Sequence, residues 1–177
     1  RRGRQGRRPS AAASDDRRRG KVQGYTGKTF SVRLEQCLSS SLKAYARSNG
    51  VTQNAVLLAT LCVLLHRHTG ERALAVGCVT TGRTQAEHNR VVGYLANPVV
   101  IRPRTEPDLS YGQLIQAVHT ELIGALEHQN FPFPLLVERL GGRRGPGHNP
   151  VFQILFDALS WQTSYELPEL RENSHGT

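Results

Sequence analysis

The sequence lacks methionine altogether, even at its first position. Because translation starts at methionine, we expect an internal piece of a longer polypeptide, and a processed amino terminus is the alternative. Cysteine is also scarce, and Cys37, Cys62 and Cys78 show neither CxxC pairs nor metal-like spacing. This set argues against a disulfide framework and favours reduced thiols in a cytosolic protein. Cys78 lies in an apolar run, where an inert packed thiol is favoured over a reactive one.

Long hydrophobic runs are missing as well. The longest one, residues 55–65, is too short to cross a bilayer, and no apolar stretch of a secretory signal follows the arginine-rich start. We therefore expect a cytoplasmic protein without a membrane partner.

Patterns that carry chemistry are sparse. No glycine-rich phosphate loop follows a predicted strand, and no nucleophile elbow is present. His66 and His68 stand two apart at a predicted helix end, where a capping role is favoured over metal binding. His119, Glu121 and His128 are spread along one predicted helix, where a solvated face is favoured. The residue types and spacings alone therefore predict no catalytic set and no metal site.

Positive charge is abundant but concentrated at one end. Of the 23 Lys and Arg residues, nine lie within the first 21 positions, beside only two acids. This segment has almost no large apolar side chains, so burial cannot offset the entropy of ordering it. We predict that residues 1–24 are a flexible basic linker. Nucleic-acid binding through phosphate contacts is an alternative that is disfavoured, because the segment offers no aromatic residue for base stacking.

The body, residues 25–160, alternates between strand and helix patterns. Alternating apolar residues predict a strand at 30–34, and helical spacing predicts a helix from Leu38 that ends at Asn49-Gly50. An all-round apolar helix between Thr52 and Gly70 should be buried. A short apolar strand should follow it in RALAVGCVTTGR.

The second half of the body continues the α/β pattern. VVGYLANPVVIRPR is a predicted strand with Pro98 at an edge or a bulge, and DLSYGQLIQAVHTELIGALEH is a helix capped by Asp108 or Ser110. PLLVERL is a short helix with Pro134 in its first turn, and VFQILFD is a central strand. Residues 161–177 are predicted to be a polar linker or tail.

Three strings carry the most specific signal: VVGYLANPVVIRPR at 91–104, EHQNFPFPLLVERL at 127–140 and HNPVFQILFD at 148–157. In this order and spacing they resemble the late motifs of the condensation domain of nonribosomal peptide synthetases. The likeness covers roughly residues 9–160, and the combination of strings is far more specific than any one of them.

The resemblance implies a fold and an activity. The fold is α/β, a chloramphenicol acetyltransferase-like lobe with a mixed sheet packed by helices, and this chain would be the carboxyl-terminal lobe of two. The activity is amide-bond formation between carrier-bound aminoacyl or peptidyl thioesters, as in antibiotic biosynthesis. The family's catalytic string has a His-His pair and, three residues later, an Asp-Gly pair, and neither pair occurs here. We therefore expect no catalytic residue in this chain and no activity from it alone.

Partners follow from the same resemblance. They are the amino-terminal lobe of the same domain, peptidyl or acyl carrier proteins, and an adenylation domain. No cofactor is expected to bind directly, because the phosphopantetheine arm is delivered by the carrier. A lone lobe should also expose the apolar face that meets its partner, so a homodimer is a further expectation. A non-catalytic module that only docks carriers, or acts as a scaffold, is the alternative function.

Candidate site residues also come from the resemblance. It implies substrate-channel positions for Asn97, Tyr94, Arg83, Gln129 and Gln153. For Asn97, bracing the chain beside Pro98 is an equal alternative, and for Gln153 bracing is favoured over chemistry. It implies structural roles for Gly93, His128, Pro132, Phe133, Asn149, Pro150 and Phe152.

The sequence departs from the family pattern at four of these motif positions. Asn130 and Pro134 stand where the family has acids, and Ala96 and Pro98 stand where it has Val and Thr. Pro98 removes a backbone donor. These changes leave open a divergent copy of the domain.

Overall fold

A computed structural model describes residues 29–106, 108–141 and 149–157 of the chain. The predicted basic linker and the predicted polar tail lie outside these residues. Within the described ranges a single three-stranded sheet is accompanied by helices on the same chain. The elements are α1 Gln36–Ser48, α2 Gln53–Thr69, β1 Val76–Thr80, the 3₁₀ helix Ala86–Arg90, β2 Asn97–Ile101, α3 Tyr111–Glu127, α4 Phe133–Arg139 and β3 Ile154–Phe156.

The first two helices confirm the capping signals. α1 is followed by Asn49 and by Gly50, whose φ of 63° lies in the left-handed region that ends many helices. The Thr52 side chain accepts a hydrogen bond from the Ala55 amide at the start of α2, and Gly70 ends that helix. The prediction that α2 is buried on every face is wrong, because Leu64 on its second half is exposed.

The other two helices also begin where expected. Ser110 rather than Asp108 caps α3, in a capping box that it forms with Gln113. Pro132 precedes α4, and Pro134 lies in its first turn, where a missing amide proton costs no helical hydrogen bond. Gly141, with a φ of 60°, follows that helix.

The sheet has the order β2-β1-β3. β1 pairs with β2 antiparallel, with Thr80 opposite Asn97 and Val79 opposite Pro98, and it pairs with β3 parallel. Among the residues described, β2 is an edge strand, and an edge is one of the two positions predicted for Pro98, because proline has no amide proton to donate to a further neighbour. The strand predicted in VVGYLANPVVIRPR is shorter than the string, since residues 91–96 form a loop.

Two strand predictions are wrong. Residues 30–34 form no strand, and Phe30 is 86% exposed, because the described residues offer no neighbour to pair with the backbone there. The predicted central strand, β3, pairs only with β1 in the described part, so β1 is the central strand and Leu155 is exposed. In both segments the apolar pattern indicates which side chains could be buried. Whether a strand forms, and where it lies in the sheet, depends also on a neighbouring strand.

The core lies between α2, α3 and the inner face of the sheet, where α2 packs on α3 and α3 packs on β2. Its members are buried aliphatic side chains and two thiols, Cys62 and Cys78. The largest fully buried side chains include those of Leu58, Leu74, Val76, Ile101, Ile115 and Val118. This packing fixes the sheet and leaves the ends of β1 and β2 to form the site described below.

No single helix among the described residues is long and apolar enough to cross a membrane. α1 and α2 pass that test of length and composition only when taken together, and they are bent by 107° at their break.

Candidate functional site

Parts of the first two motif strings and the end of β1 converge at one place, which we call the junction. It consists of residues 80–84 at the end of β1 and after it, residues 91–97 before and at the start of β2, and the turn 129–133 between α3 and α4. The ladder brings the first two segments together, because Thr80 pairs with Asn97. The buried Thr80 hydroxyl also donates to the Asn97 carbonyl oxygen at 2.8 Å.

The Asn97 side chain ties the turn to the sheet. Its Nδ2 donates to the carbonyl oxygens of Gln129 and Phe131, each at 2.8 Å. Its Oδ1 accepts from the Phe133 amide at 3.0 Å. A side-chain amide has two donor hydrogens. In Asn97 both hydrogens are bonded to main-chain oxygens of the turn 129–133.

A second polar contact joins the turn to the segment after β1. The Thr84 hydroxyl donates to Asn130 Oδ1 at 3.3 Å. Asn130, which stands where the family has an acid, therefore presents its oxygen to the protein itself. The carbonyl of His128 accepts from the Phe131 amide at 3.0 Å, and His128 itself ends α3.

Arg83 supports the loop that leads from β1 to β2. Its Nη1 donates to the His88 carbonyl oxygen and, at 3.1 Å, to the Val91 carbonyl oxygen. Its guanidinium thus contacts the main chain around the 3₁₀ helix Ala86–Arg90. One ring nitrogen of His88, Nδ1, is buried without a hydrogen-bond partner among the described residues.

The loop 91–96 projects an apolar tip. Tyr94 is 89% exposed and Val92 is fully exposed, while Gly93 has open space around it. At the base of the loop, Gly82 has a φ of 63°, and a Cβ built on it would lie 1.8 Å from the Leu95 carbonyl oxygen. Only glycine allows this close approach in that backbone conformation.

Aromatic packing supports the junction from the side of β3. The Phe133 and Phe152 ring centroids are 5.3 Å apart and tilted by 45°, a favourable arrangement for two aromatic rings. The Phe152 ring lies against Gly77, where a Cβ would come within 2.6 Å of ring carbons. The side of α4 adds a cation–π contact, with Arg139 5.2 Å from the centre of the Phe131 ring.

The segment before β3 is held by its own asparagine. Asn149 Oδ1 accepts from the amides of Val151 at 3.0 Å and Phe152 at 3.2 Å, which folds the chain around Pro150. Gln153 Nε2 donates to the Asn149 carbonyl oxygen. The structure therefore shows Gln153 in contact with the main chain of this turn.

Five predicted positions occupy different parts of this arrangement. Asn97, Arg83 and Gln153 donate to main-chain carbonyls, Gln129 accepts through its own carbonyl, and Tyr94 projects into solvent. Sequence reasoning missed Gly82, Thr80 and Thr84. The Gly-Arg turn after a strand was the available signal for Gly82, but nothing in the sequence indicated which threonines face the turn.

The buried thiols lie in the core rather than at the junction. Burial raises the pKa of Cys62 to about 12, with a smaller contribution from Cys78. Burial also raises the pKa of Cys78 to about 11, with a smaller contribution from the negative charge of Asp157. A thiol is a weak nucleophile until it ionises, so neither group is suited to covalent catalysis. No group of three or more His, Cys, Asp or Glu residues among the described residues could hold a metal ion.

Comparison with known proteins places this geometry in a family. The family model described as the condensation domain matches residues 4–176. The chain is 32% identical over 164 residues to the phosphinothricin tripeptide synthetase PhsC of Streptomyces viridochromogenes, covering 90% of this chain and 15% of that protein. It is 35% identical over 135 residues to tyrocidine synthase 2 of Brevibacillus parabrevis, covering 76% of this chain and 4% of that protein.

Solved structures agree with the sequence comparison. The chain superimposes on the four-domain nonribosomal peptide synthetase AB3403 with a TM-score of 0.76 and 27% identity, covering 78% of this chain and 11% of that one. It superimposes on the condensation domain of the Monacolin K polyketide synthase MokA with a TM-score of 0.67 and 29% identity, covering 71% and 30%. The chain thus spans a small part of the proteins it matches, and the predicted chloramphenicol acetyltransferase-like α/β fold is confirmed. This chain belongs to the condensation-domain family.

Proposed function

We propose that this chain is the carboxyl-terminal lobe of a condensation domain that forms amide bonds in nonribosomal peptide synthesis. The observation that carries the proposal is the family match over residues 4–176, supported by the superposition on a four-domain synthetase. The chain would supply one wall of a channel, and the junction would shape that wall.

The reaction needs little chemistry from this lobe. The amine of one carrier-bound substrate attacks the thioester carbonyl of the other, an amide bond forms, and the carbon–sulfur bond breaks to release the carrier thiol. The attacking amine must lose a proton, which is work for a positioned base. The sequence contains no His-His pair and no Asp-Gly pair, so we assign the base to the amino-terminal lobe.

The contribution of this lobe is a channel wall of fixed shape. The two phosphopantetheine arms would belong to the carrier proteins, which would present the thioester-linked substrates in the cytosol of the producing cell. A reacting amine and carbonyl must meet in a narrow range of distance and angle, so channel walls that keep their shape contribute to rate. The junction fits this role because hydrogen bonds, a proline-flanked turn and a close glycine contact all restrict it. Tyr94 is the predicted site residue best placed to contact an arm or the facing lobe, since its side chain is exposed to solvent.

The experiment is a condensation assay with carrier-bound donor and acceptor. We expect amide product when this chain is supplied together with an amino-terminal lobe, and none from the chain alone. Product from the chain alone would overturn the proposal. Carrier binding without product, even after the amino-terminal lobe is added, would favour the docking or scaffold module instead.

The exposed apolar tip of the loop 91–96 is a surface that a partner would cover. A second copy of the chain could cover it as well as the facing lobe could, so a homodimer stays a prediction. Light scattering of the chain alone and with the amino-terminal lobe measures which of the two forms.

A further inference from the structure

The Asn97 side chain has little capacity left for a substrate. Its two donor hydrogens reach the carbonyl oxygens of Gln129 and Phe131, and its oxygen accepts from the Phe133 amide. To contact a substrate amide, Asn97 would have to break bonds of 2.8 Å and leave main-chain groups unpaired. All three bonds would have to be given up for one substrate contact, so the observed bonds are favoured.

The three bonds connect parts of the chain that are 32 to 36 residues apart in sequence. Two of the partners, the carbonyl oxygens of Gln129 and Phe131, precede Pro132, and the third, the Phe133 amide, follows it. Pro132 itself has no amide proton to donate. The two accepting oxygens and the one donating amide of the turn therefore match the two donor hydrogens and the oxygen of the Asn97 side chain. Asn97 thus fixes the position of the whole turn 129–133 relative to the start of β2.

The same residue is next to the loop that carries Tyr94. The carboxyl end of this loop is held by the contact of Leu95 with Gly82, and its amino end is held at Val91 by Arg83. A displacement of the turn would be transmitted to the base of the loop through Asn97. The spacing between Tyr94 and the turn depends on this side chain, together with the weaker contact of Thr84 with Asn130.

We propose that Asn97 is a positioning residue: it acts on the reaction by fixing the turn 129–133 against the loop 91–96, and it does not contact substrate. The effect on turnover rests on the proposed function, while the effect on the turn does not. The two can therefore be measured separately.

The structural arm uses amide hydrogen exchange of the 177-residue chain, followed by NMR. Asn97→Leu removes the two donors and the acceptor at similar volume, and we expect exchange of the Phe133 and Phe131 amides to rise at least tenfold. Asn49→Leu is the matched control, because Asn49 also donates to a main-chain carbonyl, that of Tyr45, at 2.9 Å but at the end of α1. This control should leave exchange in the turn within twofold of the wild type.

A second variant guards against loss of the fold. Asn97→Asp keeps an oxygen that can accept from Phe133 and removes both donors, so it should raise exchange at Phe131 with the volume unchanged. Exchange in the turn within twofold of the wild type in both variants would overturn the proposal.

The functional arm uses a complete condensation domain that contains this chain, at a temperature where thermal melting shows every variant to be folded. We expect Asn97→Asp to lower kcat at least tenfold and to leave KM for the loaded acceptor carrier within twofold. A rise in KM with kcat unchanged would show direct substrate contact and overturn the proposal, as would unchanged values of both. If the unmodified domain forms no amide, the proposed function fails, and the exchange experiment still decides the role of Asn97 in the turn.

Discussion

The core and the junction are held together by different kinds of contact. In the core, side chains such as Leu58, Val118 and Ile101 are fully buried among one another, and their contacts have no preferred direction. In the junction, Asn97 and Thr84 make directed hydrogen bonds. Gly82 lies so close to the Leu95 carbonyl oxygen that a residue with a Cβ would not fit there.

This difference separates what specifies the fold from what specifies the site. Apolar packing tolerates exchange of one aliphatic side chain for another of similar volume. A hydrogen-bonded turn tolerates less, because an amide and its carbonyl partners must match in position and in kind. Changes in the core should therefore lower the free energy of unfolding most, and changes in the junction should lower it less and also alter local geometry.

The largest expected effect is in the core. Ile115→Ala removes a side chain that is 1% exposed, and we expect the free energy of unfolding to fall by about 2–5 kcal/mol, because a cavity is left among its neighbours. Chemical denaturation measures this change. Ile123→Ala is the control on the same helix: Ile123 is 46% exposed, so its loss should cost less than about 1 kcal/mol. Equal effects of the two variants would contradict the assignment of the core face of α3.

The next effect tests the junction. Gly82→Ala places a methyl group against the Leu95 carbonyl oxygen and forces a left-handed backbone on alanine, which should lower the free energy of unfolding by about 1–3 kcal/mol. Gly93→Ala is the matched glycine in the same region, with nothing within 4 Å of the added carbon. Thermal melting should show a loss for the first variant and no more than a small change for the second. A loss at Gly93 as large as that at Gly82 would contradict the described loop.

The smallest expected effect concerns the core thiols. Folding raises the pKa of Cys62 to about 12 and of Cys78 to about 11, from the usual value of 9.0. The unfolded chain therefore loses these protons first, and the free energy of unfolding should fall above pH 9, by on the order of 1 kcal/mol per thiol and pH unit. Denaturation at about pH 8 and about pH 10, on either side of the ordinary thiol pKa, measures the fall.

The controls for this effect are cysteine variants. Cys62→Ala with Cys78→Ala should reduce the dependence of stability on pH in this range. Cys37→Ala removes an exposed thiol instead and should leave the dependence unchanged. If the double variant shows the same fall as the wild type, the two thiols do not cause it.

Local patterns were sufficient for most elements of the fold. The helical spacing and the caps at Thr52, Ser110 and Gly70 correspond to α2 and α3 as the structure has them, because helix hydrogen bonds close within four residues. The strand predicted at 30–34 and the central position predicted for VFQILFD failed, because strand pairing depends on segments that are distant in sequence.

The site was predictable only in part. The motif strings identified the segments that meet, through their resemblance to a known family. That Asn97 bonds the turn 129–133, and that Thr84 reaches Asn130, depends on long-range contacts that no local period reveals. Asn97 could be singled out from the sequence, but its partners required the structure.

The choice of partners by Asn97 has a consequence for recombination between synthetases. All three are main-chain groups, so the side chains at 129, 131 and 133 can differ between parent enzymes without removing a bond. A chimaera joined within the segment between β2 and α3 would take its asparagine from one parent and its turn from the other. The hydrogen bonds between Asn97 and the turn should be retained in such a crossover as long as the parent that supplies the turn has the same number of residues in it.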